Sequence, residues 1–383
     1  MLMPSESDAL QRARARRSSG TMTDFDGGRL SLARRLARLP RTALAQEAGV
    51  SASAITQFER EQNNPTRAVA AKLALALGVP LDFFEEGLPV PRIPAQNAHF
   101  RSLRSTPAIS RDRALAFAEL AAAVVTVLEE YVDFPELNIE THVVDSTVSS
   151  AEIANITNDV RRALKIGPGP INHVVRTLEA AGVIVLAMPE NVDSREVDAF
   201  STDTGQRPLV LLSPGKNDRA RSRFDAAHEL GHLVMHPDVE PGSKIVEEQA
   251  QTFASQFLAP DDQLVHDLPI KLDWSALLEA KAKWKISLRA LVFRAHRLGL
   301  WTDAAYMRAN KQLSLEGNPE RGNLGPREQP AALGRAMEML ADAGYSAEYL
   351  ARASRLPLSA LTEVTKAGSE TRLTLAAADY SRG

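Results

Sequence analysis

The stretch "FDAAHELGHLVMH", residues 224–236, holds two histidines four positions apart, with a glutamate between them. On a helix, side chains at this spacing lie one above the other, about 5–6 Å apart at Cβ. His228 and His232 can therefore bind one metal ion. Glu229 lies one step around the helix, where a carboxylate can take a proton from water at the metal and pass it to a leaving amine. This H-E-x-x-H pattern is typical of metallopeptidases, although it also occurs by chance.

The surrounding sequence strengthens this interpretation. We predict a helix from about Asp218 to Met235, in which Gly231 leaves room beside the metal. Its core-facing positions are small or apolar, as a buried active-site helix requires: Ala226, Ala227, Leu230, Leu233 and Val234. A second helix, "EEQAQTFASQFLAP" (residues 247–260), carries carboxylates in its first turn. A zinc site with two histidines needs one carboxylate from such a neighbour.

The composition limits the kind of metal site and the compartment. The chain has 383 residues, of which 44% are hydrophobic, and a net charge of −3. These values suit a globular protein of two or three domains. Because there is no cysteine, any zinc must be bound by histidines and carboxylates. No apolar run is long enough to cross a bilayer, and no secretory signal is visible. We therefore expect a cytoplasmic protein with no membrane partner.

A different motif lies near the N-terminus, in "RTALAQEAGVSASAITQFE" (residues 41–59). Gly49 ends one short helix, and Ser51 is placed to cap a second. A further helix from Ala68 to Leu77 completes a small bundle, so the segment predicts a helix-turn-helix. From residue 28 to residue 80 there are eight Arg or Lys against three Glu, a local charge of +5. A basic module on an acidic body is typical of DNA-binding proteins.

The middle of the chain predicts a mixed domain. "VIVLAMP" (183–189), "VDAFSTD" (197–203) and "RPLVLLSP" (207–214) are expected to form short strands, with Gly205 in the turn between the last two. Two helices are expected before them, in 151–167 and 171–182. Each of these helices is expected to end at a glycine.

Together these patterns predict a multidomain protein with an all-α helix-turn-helix head, an α+β zinc domain and a helical C-terminal tail. The predicted segments are a disordered arm (1–27), the head (28–90), a linker and helical connector (91–149), the zinc domain (150–315) and a linker with C-terminal helices (316–383). The connector helix is expected from Arg111 to about Tyr131. Because the prolines from Pro89 to Pro94 cannot continue a helix, we expect the head to fold on its own.

The C-terminal tail contains a weak repeat of the first motif. "LARASRLPLSALTEV" (350–364) aligns with "LAQEAGVSASAITQF" (44–58), but it lacks the turn glycine and has Pro357 at the cap position. We interpret it as a helical hairpin that packs or oligomerises; a second DNA reader is the alternative.

The N-terminal motif resembles the XRE type of helix-turn-helix domain over roughly residues 28–90. The resemblance implies that the second helix enters the major groove of a double-stranded DNA operator. The residues implied to face bases are Ala52, Ser53, Thr56 and Gln57, with Gln57 suited to adenine and Ala52 to a thymine methyl. Those implied to contact phosphates are Arg41, Arg60 and Asn64. Glu61 stands where the family usually has glycine, so we expect a slightly altered turn. A helical dimerisation module is the alternative interpretation.

Residues 150–300 resemble the ImmA/IrrE metallopeptidases, through "AFSTDTGQRPLVLLSP", "RSRFDAAHELGHLVMHP" and "EEQAQTFASQFLAP". The resemblance implies a zincin-like domain with Zn²⁺, or Mn²⁺ as an alternative. It implies His228, His232 and Glu247 as ligands, with Glu248 in reserve, and Glu229 as the general base. The family's second helix usually reads Glu-x-Glu-Ala-Asn, whereas Gln249 and Gln251 stand at its third and fifth positions here.

Three further residues receive expected roles around this site. Gln251, one turn beyond Glu247, is a candidate hydrogen-bond partner for a ligand. His236 lies outside the ligand spacing and is expected to be structural. Arg223 is expected to support a carboxylate or the backbone near the site.

These observations predict a homodimeric transcriptional regulator whose zinc domain cleaves a regulatory protein of the repressor or antitoxin type. One alternative is a transcription factor whose zinc domain is a catalytically silent sensor of a ligand or partner. Another is a repressor in which protein binding matters more than hydrolysis. A candidate substrate is the chain itself, at "IPAQNAHFRSLRST" (93–106).

Overall fold

The computed structural model describes residues 20–85, 87, 90–94, 98, 107–189, 199–213, 218–237, 239 and 243–369. Within these ranges the chain forms sixteen α helices, a 3₁₀ helix at Leu81–Phe84 and one three-stranded sheet. None of the helices in the described ranges has the length and hydropathy needed to span a membrane. The expected division into helical and mixed α+β parts is confirmed.

The helix-turn-helix domain forms as its local signals predict. Its helices are α1 (Gly27–Leu36), α2 (Arg41–Ala48), α3 (Ala52–Glu59) and α4 (Arg67–Leu77). Gly49 takes the left-handed conformation (φ 69°) that ends α2. The Ser51 side chain accepts a hydrogen bond from the Ala54 backbone N–H at 3.1 Å, which caps α3. Glu61 occupies the following turn with φ 57°, so it adopts the left-handed backbone that a glycine would take there.

The expectation of a disordered arm up to residue 27 is wrong for its last residues. Met22 and Phe25 are buried. Thr21 forms an antiparallel bridge with Thr66, and Phe25 with Glu85. Apolar side chains at these two positions bury surface against the bundle, which is enough to order the segment. Residues 1–19 lie outside the described residues.

The connector helix, α5 (Ala108–Glu129), is buried along most of its length. It packs on α1, and Arg35 of α1 forms an ion pair with the buried Glu119 of α5. The other carboxylate oxygen of Glu119 accepts the Ile93 backbone N–H at 3.1 Å. One hydrophobic core spans the helix-turn-helix domain and α5. The proline-rich segment therefore does not separate the head from its connector, because the head buries apolar surface against α5. Independent folding of the head stays a prediction.

The sheet has the order β1–β3–β2, with β1 at Ile184–Ala187, β2 at Phe200–Thr202 and β3 at Leu209–Leu212. β1 runs parallel to β3, with Ile184 opposite Leu209. β2 runs antiparallel to β3, with Phe200 opposite Leu211. The three strands and the turn at Gly205 (φ 78°) match the expectation.

The two faces of the sheet join different cores. Alternate residues of a strand point to opposite sides. Leu209 and Leu211 belong to the core that contains α5. Val210 belongs to the core of the zinc domain, as does Val185. The sheet is thus a layer shared by the two halves of the chain.

The helices of the zinc domain are α6 (Ser150–Ala163), α7 (Val174–Ala180), α8 (Arg219–Met235), α9 (Lys244–Leu258), α10 (Asp261–Leu264), α11 (Trp274–Trp284), α12 (Leu288–Arg297) and α13 (Asp303–Glu316). α6 starts at a capping box made by Ser149 and Glu152. It does not end at Gly167 as expected: Lys165 takes the left-handed conformation (φ 55°) two residues earlier. α8 and α9 pack against each other and carry the candidate site.

The C-terminal helices are α14 (Ala332–Asp342), α15 (Ala347–Ser354) and α16 (Leu358–Ala367). α15 and α16 form the expected hairpin, and Arg355 supplies the left-handed turn (φ 54°) at the position that aligns with Gly49. α16 packs on α5 and on β1.

The segment before α14 was expected to be a linker, but it contacts the zinc domain through ion pairs and hydrogen bonds. Glu328 is buried, pairs with Arg223 of α8 and accepts the Val175 backbone N–H at 3.1 Å. The Glu179 carboxylate accepts the backbone N–H groups of Ala331 (2.8 Å) and Ala332 (2.9 Å). The segment just before α14 is therefore anchored to the zinc domain.

Candidate metal centre and DNA-binding surface

The helix that carries the histidines, α8, is capped by Asp218, whose side chain accepts the Arg221 backbone N–H at 3.1 Å. The segment from Ala226 to His232 is buried throughout. Gly231 was expected to leave room beside the metal. It instead lets α9 approach closely, because a Cβ at this position would lie 3.0 Å from the ring of Phe253.

Three side chains converge at this level of α8 and α9. The two Nε2 atoms of His228 and His232 are 3.1 Å apart. One oxygen of Glu247 lies 3.3 Å from His228 Nε2, and the other lies 3.4 Å from His232 Nε2. Bonds of about 2.0–2.2 Å at tetrahedral angles set zinc ligand atoms about 3.3–3.6 Å apart. The two nitrogen–oxygen separations fall within this range, and the nitrogen–nitrogen separation is slightly shorter. The donor types and their convergence therefore fit a zinc ion.

The structure distinguishes the two candidate glutamates. Glu247 is mostly buried, whereas the side chain of Glu248 is 60% exposed and pairs with Lys244 at 3.4 Å. Burial by itself would raise the pKa of Glu247, but its interactions with His228 and His232 outweigh burial and lower that pKa to about 2. Glu247 is therefore an ionised carboxylate that faces both histidines.

Glu229 is fully buried beside this cluster. Its Oε2 accepts a hydrogen bond from Ser201 Oγ of β2 at 2.8 Å. Ser201 was not among the residues predicted from the sequence. The alternation of the strand could have indicated it, since Ser201 is the residue between Phe200 and Thr202 and points to the opposite face, toward α8.

A series of hydrogen bonds leads from His232 away from the metal site. His232 Nδ1 lies 3.3 Å from His236 Nδ1, and His236 Nε2 lies 2.9 Å from Gln249 Oε1. Gln249 Nε2 donates to the Asp145 carbonyl at 2.8 Å. Burial lowers the pKa of His236, although the hydrogen bond with Gln249 opposes this. Gln251, the amide expected to reach the site, is exposed; that expectation is wrong, and Gln249 is the amide that reaches the site.

Arg223 behaves as expected, since it pairs with a carboxylate and donates to the Ile171 carbonyl at 2.8 Å. Burial lowers the pKa of its guanidinium, and Glu328 opposes that shift. The pair links the metal-site helix to the C-terminal tail.

Two cavities lie along α8. A small one of about 90 Å³ opens beside His232 and is also lined by Ile139, Thr141, Asp203 and Leu233. A larger one of about 650 Å³ lies toward the start of the helix and includes Phe224, whose ring packs on His228.

The candidate base-reading residues lie on α3. Ser53 is exposed, whereas Ala52, Thr56 and Gln57 are half-buried. The Gln57 side-chain oxygen accepts a hydrogen bond from Asn63 Nδ2 at 3.0 Å. The structure thus places these side chains on one short helix, with the Gln57 amide held by a neighbour.

The candidate phosphate-contacting residues differ in their surroundings. Arg60 is exposed. Arg41 is half exposed, and its Nε donates to the buried Glu59 at 2.6 Å. Asn64 donates to the Met22 carbonyl at 2.8 Å, so its amide secures the N-terminal segment.

Comparisons with known proteins agree with this division. Residues 179–296 match the family model of the IrrE N-terminal-like domain of the M78 peptidases, and residues 30–84 match a helix-turn-helix family model. A comparison with curated proteins gave no match. The first matched segment contains all four residues of the candidate centre, and the second contains α3. The chain therefore fuses an XRE-type helix-turn-helix domain to an ImmA/IrrE-like domain.

Proposed function

We propose that this protein is a DNA-binding transcriptional regulator whose ImmA/IrrE-like domain is a zinc-dependent peptidase. Its substrate is a regulatory protein of the repressor or antitoxin type, and it acts in the cytoplasm, where its operator DNA lies. One observation carries the proposal: His228, His232 and Glu247 converge with Glu229 beside them, inside the segment that matches a peptidase family.

His228, His232 and Glu247 would hold the metal, with manganese as an alternative to zinc. A bound zinc ion supplies a Lewis acid that polarises the scissile carbonyl and lowers the pKa of water in its open position. Two imidazoles and one carboxylate leave such a position free.

Glu229 would act as the general base and acid. Its carboxylate would take a proton from the attacking water and deliver it to the departing nitrogen. The hydrogen bond from Ser201, at 2.8 Å, fixes the rotation of this carboxylate. Because Glu229 is not one of the three converging ligands, its amide variant is expected to keep the metal.

The helix-turn-helix domain would recognise a palindromic operator as part of a homodimer, because one domain covers only one half-site. Ser53 and Gln57 are proposed to read bases, and Arg41 and Arg60 to contact phosphates.

A catalytically silent sensor is the second candidate, and the shared sheet favours it. Ser201 on β2 contacts Glu229, while Leu209 and Leu211 on β3 belong to the core that includes the DNA-binding helices. A change at the metal centre can reach that core through one layer of sheet without any hydrolysis.

The Glu229→Gln variant separates the two functions. New protein N-termini should be profiled in cells that express the wild type or this variant, together with a reporter for the operator. We expect some N-termini, and the full reporter response, only with the wild type. Identical N-termini and identical reporter responses would reject the peptidase and leave the sensor.

Self-cleavage at 93–106 is part of the same test. Most of this segment lies outside the described residues, but the buried Ala98 forms an antiparallel bridge with Thr202 of β2. This contact brings the candidate segment next to the strand that carries Ser201. Intact mass of the purified chain with added zinc, compared with Glu229→Gln, would detect a cut there.

A further inference from the structure

We propose that Gln249 is a positioning residue that acts through His236 to fix the tautomer of His232, so that a lone pair on His232 Nε2 faces the metal. This inference rests on the proposed zinc binding. Neither residue touches the converging Nε2 atoms, and the proposed catalysis gives neither a role. Both are buried, as is His232.

The series of hydrogen bonds ends, on the side away from the metal site, at the Asp145 carbonyl. A backbone carbonyl can only accept a hydrogen bond. The Gln249 side-chain atom 2.8 Å from the Asp145 oxygen must therefore be the amide nitrogen. This contact fixes the orientation of an amide whose two ends are otherwise hard to distinguish. The Gln249 oxygen then faces His236.

The next contact sets the tautomer of His236. An amide oxygen only accepts, so His236 Nε2, at 2.9 Å, must carry the proton that it donates to Gln249. In the neutral ring, His236 Nδ1 is then the acceptor. It accepts from His232 Nδ1, which lies 3.3 Å away and must carry the proton.

The tautomer of His232 determines which of its nitrogens can bind the metal. A neutral imidazole with its proton on Nδ1 has its lone pair on Nε2. His232 Nε2 is the atom that lies 3.1 Å from His228 Nε2 and 3.4 Å from Glu247. The other tautomer would point an N–H into the site and prevent binding through that atom.

His228 lacks such an arrangement. In the part of the chain that the structure describes, His228 Nδ1 has no hydrogen-bond partner. Of the two histidines, His232 is therefore the one that the protein orients in advance, and this lowers the cost of ordering the site when metal binds.

Three variants of the full-length protein test the proposal. Gln249→Met keeps the size of the side chain but removes the acceptor for His236. Gln249→Glu keeps that acceptor and loses the donor to Asp145. Glu248→Gln changes an exposed neighbour on the same helix and is the control. Zinc affinity is measured by competition with a chelator, and the protonated nitrogen of His232 by ¹⁵N NMR of the metal-free protein.

We expect metal-free wild type and Gln249→Glu to carry the His232 proton on Nδ1. Gln249→Met should show a mixture of tautomers and bind zinc about 10–100-fold more weakly, as loss of a partner behind a metal ligand typically does. Glu248→Gln should match the wild type. The affinity of Gln249→Glu should stay closer to the wild type than that of Gln249→Met.

The proposal is overturned if metal-free wild type carries the His232 proton on Nε2, or if Gln249→Met binds zinc as tightly as Glu248→Gln. If Gln249→Met does not fold, the tautomers of wild type and Gln249→Glu decide. Should the wild type bind no zinc, the proposed peptidase fails, while the NMR result still decides whether Gln249 sets the tautomer.

Discussion

Arg29 of the helix-turn-helix domain donates a hydrogen bond to the Arg355 carbonyl at 2.9 Å, although the two residues are 326 positions apart. The same buried guanidinium donates to the carbonyls of Phe83 (3.2 Å) and Ser354 (3.4 Å). The C-terminal hairpin is thereby joined to the first helix of the DNA-binding domain. Because Glu328 anchors the preceding segment beside the metal-site helix, the tail connects both halves of the protein.

Replacing Arg29 with methionine should destabilise the protein by about 2–3 kcal/mol, because buried carbonyl oxygens would lose their donor. Arg352→Ala, at an exposed position of the same hairpin, is the control and should change stability little. Urea unfolding of the full chain measures both. Equal midpoints for the two variants would show that the Arg29 contacts do not hold the tail.

The three converging ligands allow a prediction of the number of zinc ions per chain. Purified protein should carry about one zinc per chain, and His228→Ala or His232→Ala should lose it, because two ligands do not hold zinc firmly. Glu247→Gln should weaken binding more than Glu248→Gln, since only Glu247 faces the histidines. Elemental analysis and chelator competition provide the measurements. Full zinc in the double histidine variant would rule out this site.

We predict that the buried carboxyl of Glu179 makes the stability of the folded protein depend on pH. Burial raises the pKa of this carboxyl above its usual value of 4.5, although hydrogen bonds from Ala332 and Ala331 oppose the shift. A raised folded-state pKa means that the stability contribution is complete at low pH and is lost as the pH rises through that pKa. Glu179→Gln keeps an acceptor without the charge, so its stability relative to the wild type should increase between pH 4 and pH 7.

Glu179→Ala is the matched variant, because it removes the acceptor as well. It should cost about 1–3 kcal/mol at either pH, since two backbone N–H groups lose their partner. Thermal unfolding at both pH values measures these differences. A wild type that gains stability relative to Glu179→Gln as the pH rises would contradict the direction given for this pKa.

We predict different effects for two residues of the helix-turn-helix domain. Gln57→Ala should weaken operator binding by about 1–3 kcal/mol and relax specificity at one base position. Asn64→Ala should instead reduce stability, because its amide donates to the Met22 carbonyl. Binding to a palindromic operator is measured at several salt concentrations, and affinity should fall steeply as salt rises. Salt-independent binding would favour the protein-contact interpretation of this domain.

The sequence by itself determined the elements whose causes are local. The spacing of His228 and His232 places both rings on one helical face because the helix repeats every 3.6 residues. Gly49 and Ser51 set a helix end and a helix start through their own backbone and side-chain hydrogen bonds. The strand pattern likewise fixed three strands and their alternation.

Only the tertiary structure decided which distant groups meet. The tertiary structure places Glu247, and not Glu248, beside the two metal-site histidines. It brings Ser201 into contact with Glu229 and places Gln249 between Asp145 and His236. It also joined the DNA-binding helices to α5 and to the tail, where the proline-rich segment had suggested a free head. The physical reason is that these contacts depend on how whole faces of helices and strands pack. The order of residues within one element does not specify its partners.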